Sequence, residues 1–381
     1  MVSPKFFVDC LSDAKIDFFA GVPDSLLKNL CAFLADNFDE RHNIIAANEG
    51  GAIALAAGHY LATGKIGAVY MQNSGEGNAL NPLLSLTDKE VFNIPLLLLV
   101  GWRGKPGVHD EPQHVKQGKV TTELLDVAGI KNEVMSKEDA ALAEQVKRGA
   151  KFMSETGEAF ALVIEKDTFA KYTPQAKEGS ALLQNEPTMG REEAIKTATS
   201  FLGERDCVVS TTGMISRELF EYRTAMSQSH ASDFLTVGSM GHASQIALAV
   251  ALEKSSRRVW CFDGDGALIM HAGSLFITGS MHPKNFVHIV FNNGAHDSVG
   301  GQPTVGLKID LPAIARAAGY DEVHSACSTD ELRRILAGVK SRCASGAVFI
   351  EVKVRKGNRA DLGRPTTTPA ENKRAFMEFL R

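Results

Sequence analysis

The chain has 381 residues, 44% of them apolar and 23% charged, with 34 glycines and 13 prolines; this is soluble globular composition with room for two domains, and it excludes disorder as the basis of function. Forty-one Lys and Arg against 45 Asp and Glu leave a net charge of −4, so no global field attracts nucleic acid or an anionic membrane, and neither is expected as a partner. The six cysteines, at positions 10, 31, 207, 261, 327 and 343, form no C-x-x-C pair, which argues against a zinc site or disulfide framework and for a reducing, cytoplasmic setting.

In chain order, the N-terminus meets Lys5 and Asp9 too early for a signal-peptide apolar region, and the run 94–101 is far short of a membrane span. Apolar runs at 66–71, 94–100, 160–164, 208–211, 259–262, 286–291 and 347–354 read as buried parallel strands between helical patterns, which predicts an α/β protein. Between Lys166 and Gly190 the periodicity lapses into a polar, proline-containing stretch, and Arg191 opens a new helix. The expected division is a first domain over 1–168, a linker over 169–188 and a second domain over 189–381. The halves echo each other faintly, Glu49-Gly-Gly-Ala-Ile-Ala-Leu-Ala-Ala-Gly-His59 against Gly241-His-Ala-Ser-Gln-Ile-Ala-Leu-Ala-Val250, a weak sign of two copies of one fold.

Two motifs carry chemistry. In the first half, Glu49 opens a helix made otherwise of small residues; alone, it complements the helix dipole. In the second, the strand 259–262 runs into Asp263-Gly264-Asp265-Gly266, a helix is expected from Ala267 to about Gly279, and the strand 286–291 ends in Asn292-Asn293. This βαβ unit puts Asp265 and the Asn pair at the carboxyl ends of neighbouring strands, where open α/β sheets bind ligands, with Gly264 and Gly266 allowing close backbone approach. It is not a dinucleotide fingerprint, because Ile269 stands where the third glycine or alanine belongs and a carboxylate between the glycines repels a bare diphosphate. A divalent cation removes that repulsion, with Asp265, the Asn293 amide oxygen and a nearby backbone carbonyl as oxygen ligands of the kind Mg²⁺ takes.

With 25 residues between Gly266 and Asn292, the pair of motifs resembles the signature of the thiamine diphosphate enzymes. The resemblance implies two parallel-sheet α/β domains, one for the cofactor's pyrimidine and one for its diphosphate, and a cofactor of thiamine diphosphate with Mg²⁺. It implies that Asp265, Asn293 and the Ala295 carbonyl hold the cation, that Gly213, Met214, Gly264, Gly266 and Ala267 lie at the cofactor, and that Met240 acts as a wedge beneath it. Glu49 would hydrogen-bond the pyrimidine N1′ and relay a proton. Active sites between the subunits of a homodimer or homotetramer follow as well.

The missing middle domain and the loops Gly21-Val-Pro-Asp24-Ser25, Gln72-Asn73-Ser-Gly-Glu-Gly-Asn78, Gly101-Trp-Arg103-Gly104, 293–302 and Asp361-Leu-Gly-Arg364-Pro365 resemble the phosphonopyruvate and sulfopyruvate decarboxylases, and the fused chain looks like the former. The expected substrate is a 2-oxo acid with a second anionic group. Asp24, Ser25, Asn73, Arg103, Lys105 and Arg364 are the expected substrate contacts, and His109, Asp110 and Asp297 join Glu49 as candidate proton-transfer groups. Sulfopyruvate decarboxylation is the nearest alternative and acetolactate-type carboligation a more distant one; a non-catalytic phosphate-binding protein would leave Glu49 unexplained, and a nicotinamide dehydrogenase would want the missing third glycine. No G-x-S-x-G elbow or P-loop occurs.

Overall fold

The structure is a computed structural model that describes residues 1–175, 187–341 and 346–381. The central part of the expected linker, 176–186, and Cys343 lie outside the described residues. The chain divides into two compact units, Met1–Glu178 and Gly179–Arg381.

The first unit contains β1 (Phe19–Gly21), β2 (Asn43–Ile45), β3 (Gly67–Gln72), β4 (Leu96–Gly101), β5 (Lys131–Val134) and β6 (Phe160–Ile164). They form one sheet in the order β2-β1-β3-β4-β6-β5, parallel throughout. Alternation along β4 divides the core: Leu97 and Leu99 join Phe7, Phe19 and Leu162 on one face, while Leu96, Leu98 and Val100 join Ala52, Ala56 and Val69 on the other. The helix Glu49–Thr63 packs there through Ala52, Ile53, Ala56 and Ala57, its N-cap Asn48 accepting from Gly51 N–H at 2.9 Å. Phe169, assigned to the linker from sequence, is core of this unit instead, 5.6 Å ring to ring from Phe7.

The second unit contains β7 (Cys207–Ser210), β8 (Asp233–Leu235), β9 (Val259–Gly264), β10 (Phe286–Asn292), a small antiparallel pair β11 (Ala295–His296) and β12 (Gln302–Pro303), then β13 (Glu322–Ala326) and β14 (Val348–Lys353). Its main sheet is parallel in the order β13-β14-β10-β9-β7-β8. Numbered within each unit and read from the other edge, that is the order of the first sheet. The faint sequence echo falls on the same element in both, the helix entering the third strand: Glu49–Thr63 before β3 and Ala243–Glu253 before β9.

All seven strands read from the sequence are present, displaced by no more than two residues at either end. The helix expected from 267 to 279 is two, Asp265–Met270 and Gly273–Met281, broken at His271 and Ala272. Among the described residues no helix is long and apolar enough to cross a membrane.

Candidate active site

In each sheet the order in which strands are added switches sides between the first and third strands, β1 and β3 in one and β7 and β9 in the other, and ligands of doubly wound sheets bind beyond the carboxyl ends of the strands at such a point. The second unit's polar residues collect there. Asp265, 2% exposed, follows β9 directly; its carboxylate accepts from Thr304 Oγ1 and from the backbone N–H of Asn293. Burial pushes its pKa up to about 6, and no cationic side chain pairs with it among the described residues. Gly306 makes the approach possible, since a Cβ there would stand 2.5 Å from Asp265 Oδ2 and 2.8 Å from Asn292 Oδ1.

The two asparagines divide the work. Asn292 Nδ2 donates to Gly306 O and to the buried Glu351 Oε1, both at 2.8 Å, and holds the loop. Asn293 Oδ1 accepts from Ala295 N–H at 3.0 Å, while its Nδ2 donates to Asp297 Oδ2 at 2.7 Å. Asp297 Oδ2 also accepts from Arg191 Nη1 at 2.8 Å and from Gly357 N–H at 3.0 Å. The expected proton shuttle is therefore a carboxylate held by three donors. Gly266 lies against His296, whose burial lowers its pKa to about 4 and keeps it neutral.

The surrounding turns carry the remaining cofactor candidates. Gly213, at φ 99°, caps the helix that begins with Met214, and Ala267 is buried in the short helix after Asp265. Met240 is not a core residue: it sits half-buried in a loop where Gly238, Ser239 and Gly241 all have positive φ. Beside these turns the hydroxyls of Thr211 and Thr236 and the Nε2 of His271 are buried without a protein partner, which suits a polar ligand and not an apolar one.

In the first unit, Glu49 is 4% exposed and its Oε2 accepts from Asn78 Nδ2 at 2.8 Å. Burial raises its pKa, and Gly75 packs so closely that a Cβ there would collide with the carboxylate. A second acid, Glu76, is 6% exposed, has no partner for Oε1, and is pushed by burial up to about 8.

The ends of β1, β3 and β4 bring Asp24, Ser25, Asn73, Arg103 and Asp110 into one cluster. Arg103 donates from Nε to Asp110 Oδ2 at 2.7 Å, from Nη2 to Asp110 Oδ1, and from Nη1 to Ser25 Oγ at 2.6 Å. Asn73 Nδ2 donates to Arg103 O and Thr121 Oγ1, both at 2.8 Å. Asp24 is fully buried, Oδ1 without a partner, and burial raises its pKa to about 6. Burial also opposes charge on Asp110, but Arg103 and the N–H groups of Glu111 and Gly104 override it and hold that carboxyl well below the usual range. Asp110 is thus an anchor for Arg103 and a poor acid. Lys105 is paired with Glu165, His109 is exposed, and Arg364, in the second unit, is exposed as well. Sequence reasoning missed Thr304, Gly306, Glu76, Asn78 and the Arg191 partnership; only Asn78 and Glu76, inside a loop already singled out, carried a visible signal.

In the second unit, a buried carboxylate without a cationic partner among the described residues, an oxygen-rich turn beside it and unpartnered buried hydroxyls fit a diphosphate cofactor held through a divalent cation. The fold and these sites define a thiamine pyrophosphate enzyme, and comparison with known proteins agrees. Residues 3–127 match the model of the thiamine pyrophosphate enzyme N-terminal TPP binding domain, and residues 211–352 that of the C-terminal TPP binding domain. The chain is 35% identical to phosphonopyruvate decarboxylase of Streptomyces viridochromogenes over 390 residues, covering 100% of this chain and 95% of that protein. It is also 35% identical to phosphonopyruvate decarboxylase of Streptomyces hygroscopicus, covering 100% and 94%. Sulfopyruvate decarboxylase of Methanosarcina acetivorans is 30% identical, covering 98% and 96%. The chain belongs to the thiamine pyrophosphate enzymes, in the family that holds these decarboxylases.

Proposed function

We propose that the protein decarboxylates 3-phosphonopyruvate to phosphonoacetaldehyde and CO₂, as a step of phosphonate biosynthesis, using thiamine diphosphate and Mg²⁺. The observation that carries this reading is the end-to-end match, at 35% identity, to proteins named for that activity, in a chain that keeps Glu49 and Asp265 at helix starts and Asn293 just past the end of β10. Bound thiamine diphosphate would supply the electron sink for loss of the carboxylate. Asp265, Asn293 and the Ala295 carbonyl would hold the cation. Glu49, kept out of water and oriented by Asn78, would hold the proton at the pyrimidine N1′.

The substrate's second anion needs localised donors in a chain of net charge −4. Arg103 has five N–H donors, of which Asp110 and Ser25 take three, so its two remaining donors would face the anion from a fixed orientation. Ser25 would join this contact through its hydroxyl, Asp24 would join it only as the neutral acid, and Asn73, whose two Nδ2 donors go to Arg103 O and Thr121 Oγ1, would hold the Arg103 backbone beside it; Lys105 and Arg364 stay as candidates from other loops. A two-domain division, with the first domain extended past Phe169 and the second over 189–381, and a homodimer or homotetramer with active sites shared between subunits belong to the same proposal. So does a cytoplasmic location, which is supported by free cysteines at 10, 31, 207, 261 and 327.

Decarboxylation of sulfopyruvate is the second reading, favoured by the 30% identical relative. CO₂ release measured over 3-phosphonopyruvate, sulfopyruvate and pyruvate, with and without thiamine diphosphate and Mg²⁺, tests both. The expected result is a kcat/KM highest for 3-phosphonopyruvate and dependent on both additions. A preference for sulfopyruvate transfers the protein to the second reading, and cofactor-independent inertness toward all three ends the proposal.

A further inference from the structure

Arg191, the first residue of the helix Arg191–Ser200, is 5% exposed and reaches across the second unit. Its guanidinium grips Glu218 with two bonds, Nε to Oε2 at 2.9 Å and Nη2 to Oε1 at 3.0 Å, and gives Nη1 to Asp297 Oδ2 at 2.8 Å. Glu218 is 2% exposed. The same Asp297 oxygen receives Asn293 Nδ2 at 2.7 Å. A continuous hydrogen-bonded chain thus runs Glu218, Arg191, Asp297, Asn293, buried except at the partly buried Asp297, which Gly357 N–H reaches from the segment after β14.

We infer that Arg191, acting through Asp297, is a positioning residue that fixes which end of the Asn293 side chain faces the cation. Asp297 Oδ2 accepts from three N–H donors, so it takes the NH₂ end of Asn293 and repels its carbonyl end. The amide is thereby oriented with Oδ1 turned from Asp297, on the side of Ala295 and away from its own NH₂ anchor. Oδ1 is the atom a hard cation takes. Asp297 needs Arg191 for this: two carboxylates, Glu218 and Asp297, flank one guanidinium, and without it they repel each other in a buried setting. Orientation of a metal ligand by a hydrogen-bonded carboxylate outside the coordination sphere changes metal affinity by about 10- to 100-fold in known sites. The inference rests on the proposed cofactor reading, and it assigns Asp297 a task different from proton transfer.

The test is Mn²⁺ binding to the full-length protein in the presence of saturating thiamine diphosphate, with free Mn²⁺ followed by electron paramagnetic resonance. Wild type is expected to bind. Asp297→Asn, which keeps the volume but presents an amide that can pair with either end of Asn293, is expected to raise the Mn²⁺ Kd by about 10- to 100-fold. Arg191→Met is expected to do the same, with kcat recovering as Mg²⁺ is raised. Asp297→Asn carries the decision if Arg191→Met does not fold with Glu218 left unpaired. Unchanged Mn²⁺ affinity in Asp297→Asn, whether kcat falls or not, overturns the inference, and a fall in kcat that excess Mg²⁺ leaves in place returns Asp297 to proton transfer. Failure of wild type to bind Mn²⁺ overturns the cofactor reading itself, a result distinct from normal binding that the variants share.

Discussion

Glu76 carries a carboxyl group into a nearly dry position beside the wall that holds Glu49, and no donor satisfies its Oε1. Burial raises its pKa from 4.5 to about 8. Between those values the folded protein holds a proton that the unfolded chain has lost, so stability contributed by the neutral acid is present below pH 4.5 and declines as pH rises toward 8. Glu76→Gln removes the ionisation and keeps the shape. It is expected to match wild type near pH 4.5 and to be more stable at pH 8 by on the order of 2–4 kcal/mol, read from urea unfolding at the two values. Equal stability at both would place Glu76 in contact with water or a partner. Glu49 is raised in the same direction but keeps a donor in Asn78, and its expected role depends on a proton it can hold. Glu49→Gln is therefore expected to retain thiamine diphosphate in a calorimetric titration while losing turnover by about 100-fold or more, since an amide cannot deliver that proton. Turnover near wild type would remove Glu49 from the chemistry.

At the scale of the element, two N-caps separate stability from function. Asn48 caps the helix that begins with Glu49, and Thr368 with Glu371 forms a capping box on the helix Pro369–Phe379. Loss of either cap costs about 1 kcal/mol. Asn48→Ala also frees the first turn that aims Glu49, so it is expected to lower kcat, whereas Thr368→Ala is expected to lower the melting temperature by a similar amount with kcat unchanged. Equal activity in the two variants would detach the helix start from the site. The elements that the sequence revealed are those whose physics is local. β3, β4, β6, β7, β9, β10 and β14 are interior strands buried on both faces, and they read as largely apolar runs. β1, β2 and β8 have three residues each, and the edge strands β2, β5 and β13 are partly exposed; Lys131-Asn-Glu-Val134 has no period that distinguishes it from a loop. The Gly-Asp-Gly and Asn-Asn turns were legible because their spacing follows from one βαβ crossover. Thr304 and Arg191 were not, because their partners Asp265 and Asp297 lie 39 and 106 residues away along the chain, and only tertiary folding brings them together.

The molecule as a whole is one topology used twice, with a candidate proton-holding acid in the first copy and a candidate cation site in the second. Such a division matters for assembly, because a single chain then contains one of each and the proposed oligomer has a choice of pairing them within a subunit or between subunits. The proposal of shared sites makes a specific demand on mixtures. Glu49→Gln and Asp265→Ala are each expected to be inactive alone, the first for want of the proton and the second for want of the cation's carboxylate ligand. When the two variants are unfolded together and refolded, half of the dimers formed at random contain one chain of each. If every site takes Glu49 from one chain and Asp265 from the other, a mixed dimer has one site with both defects and one with neither. The refolded mixture is then expected to regain about a quarter of the activity of wild type carried through the same procedure. Pairing within a chain leaves every site with one defect, and no activity returns at any mixing ratio. Sedimentation velocity on the mixture distinguishes this outcome from failure to reassociate, since a dimer without activity refutes sharing between subunits while a monomer without activity is failed reassociation; native wild type that sediments as a monomer refutes the oligomer.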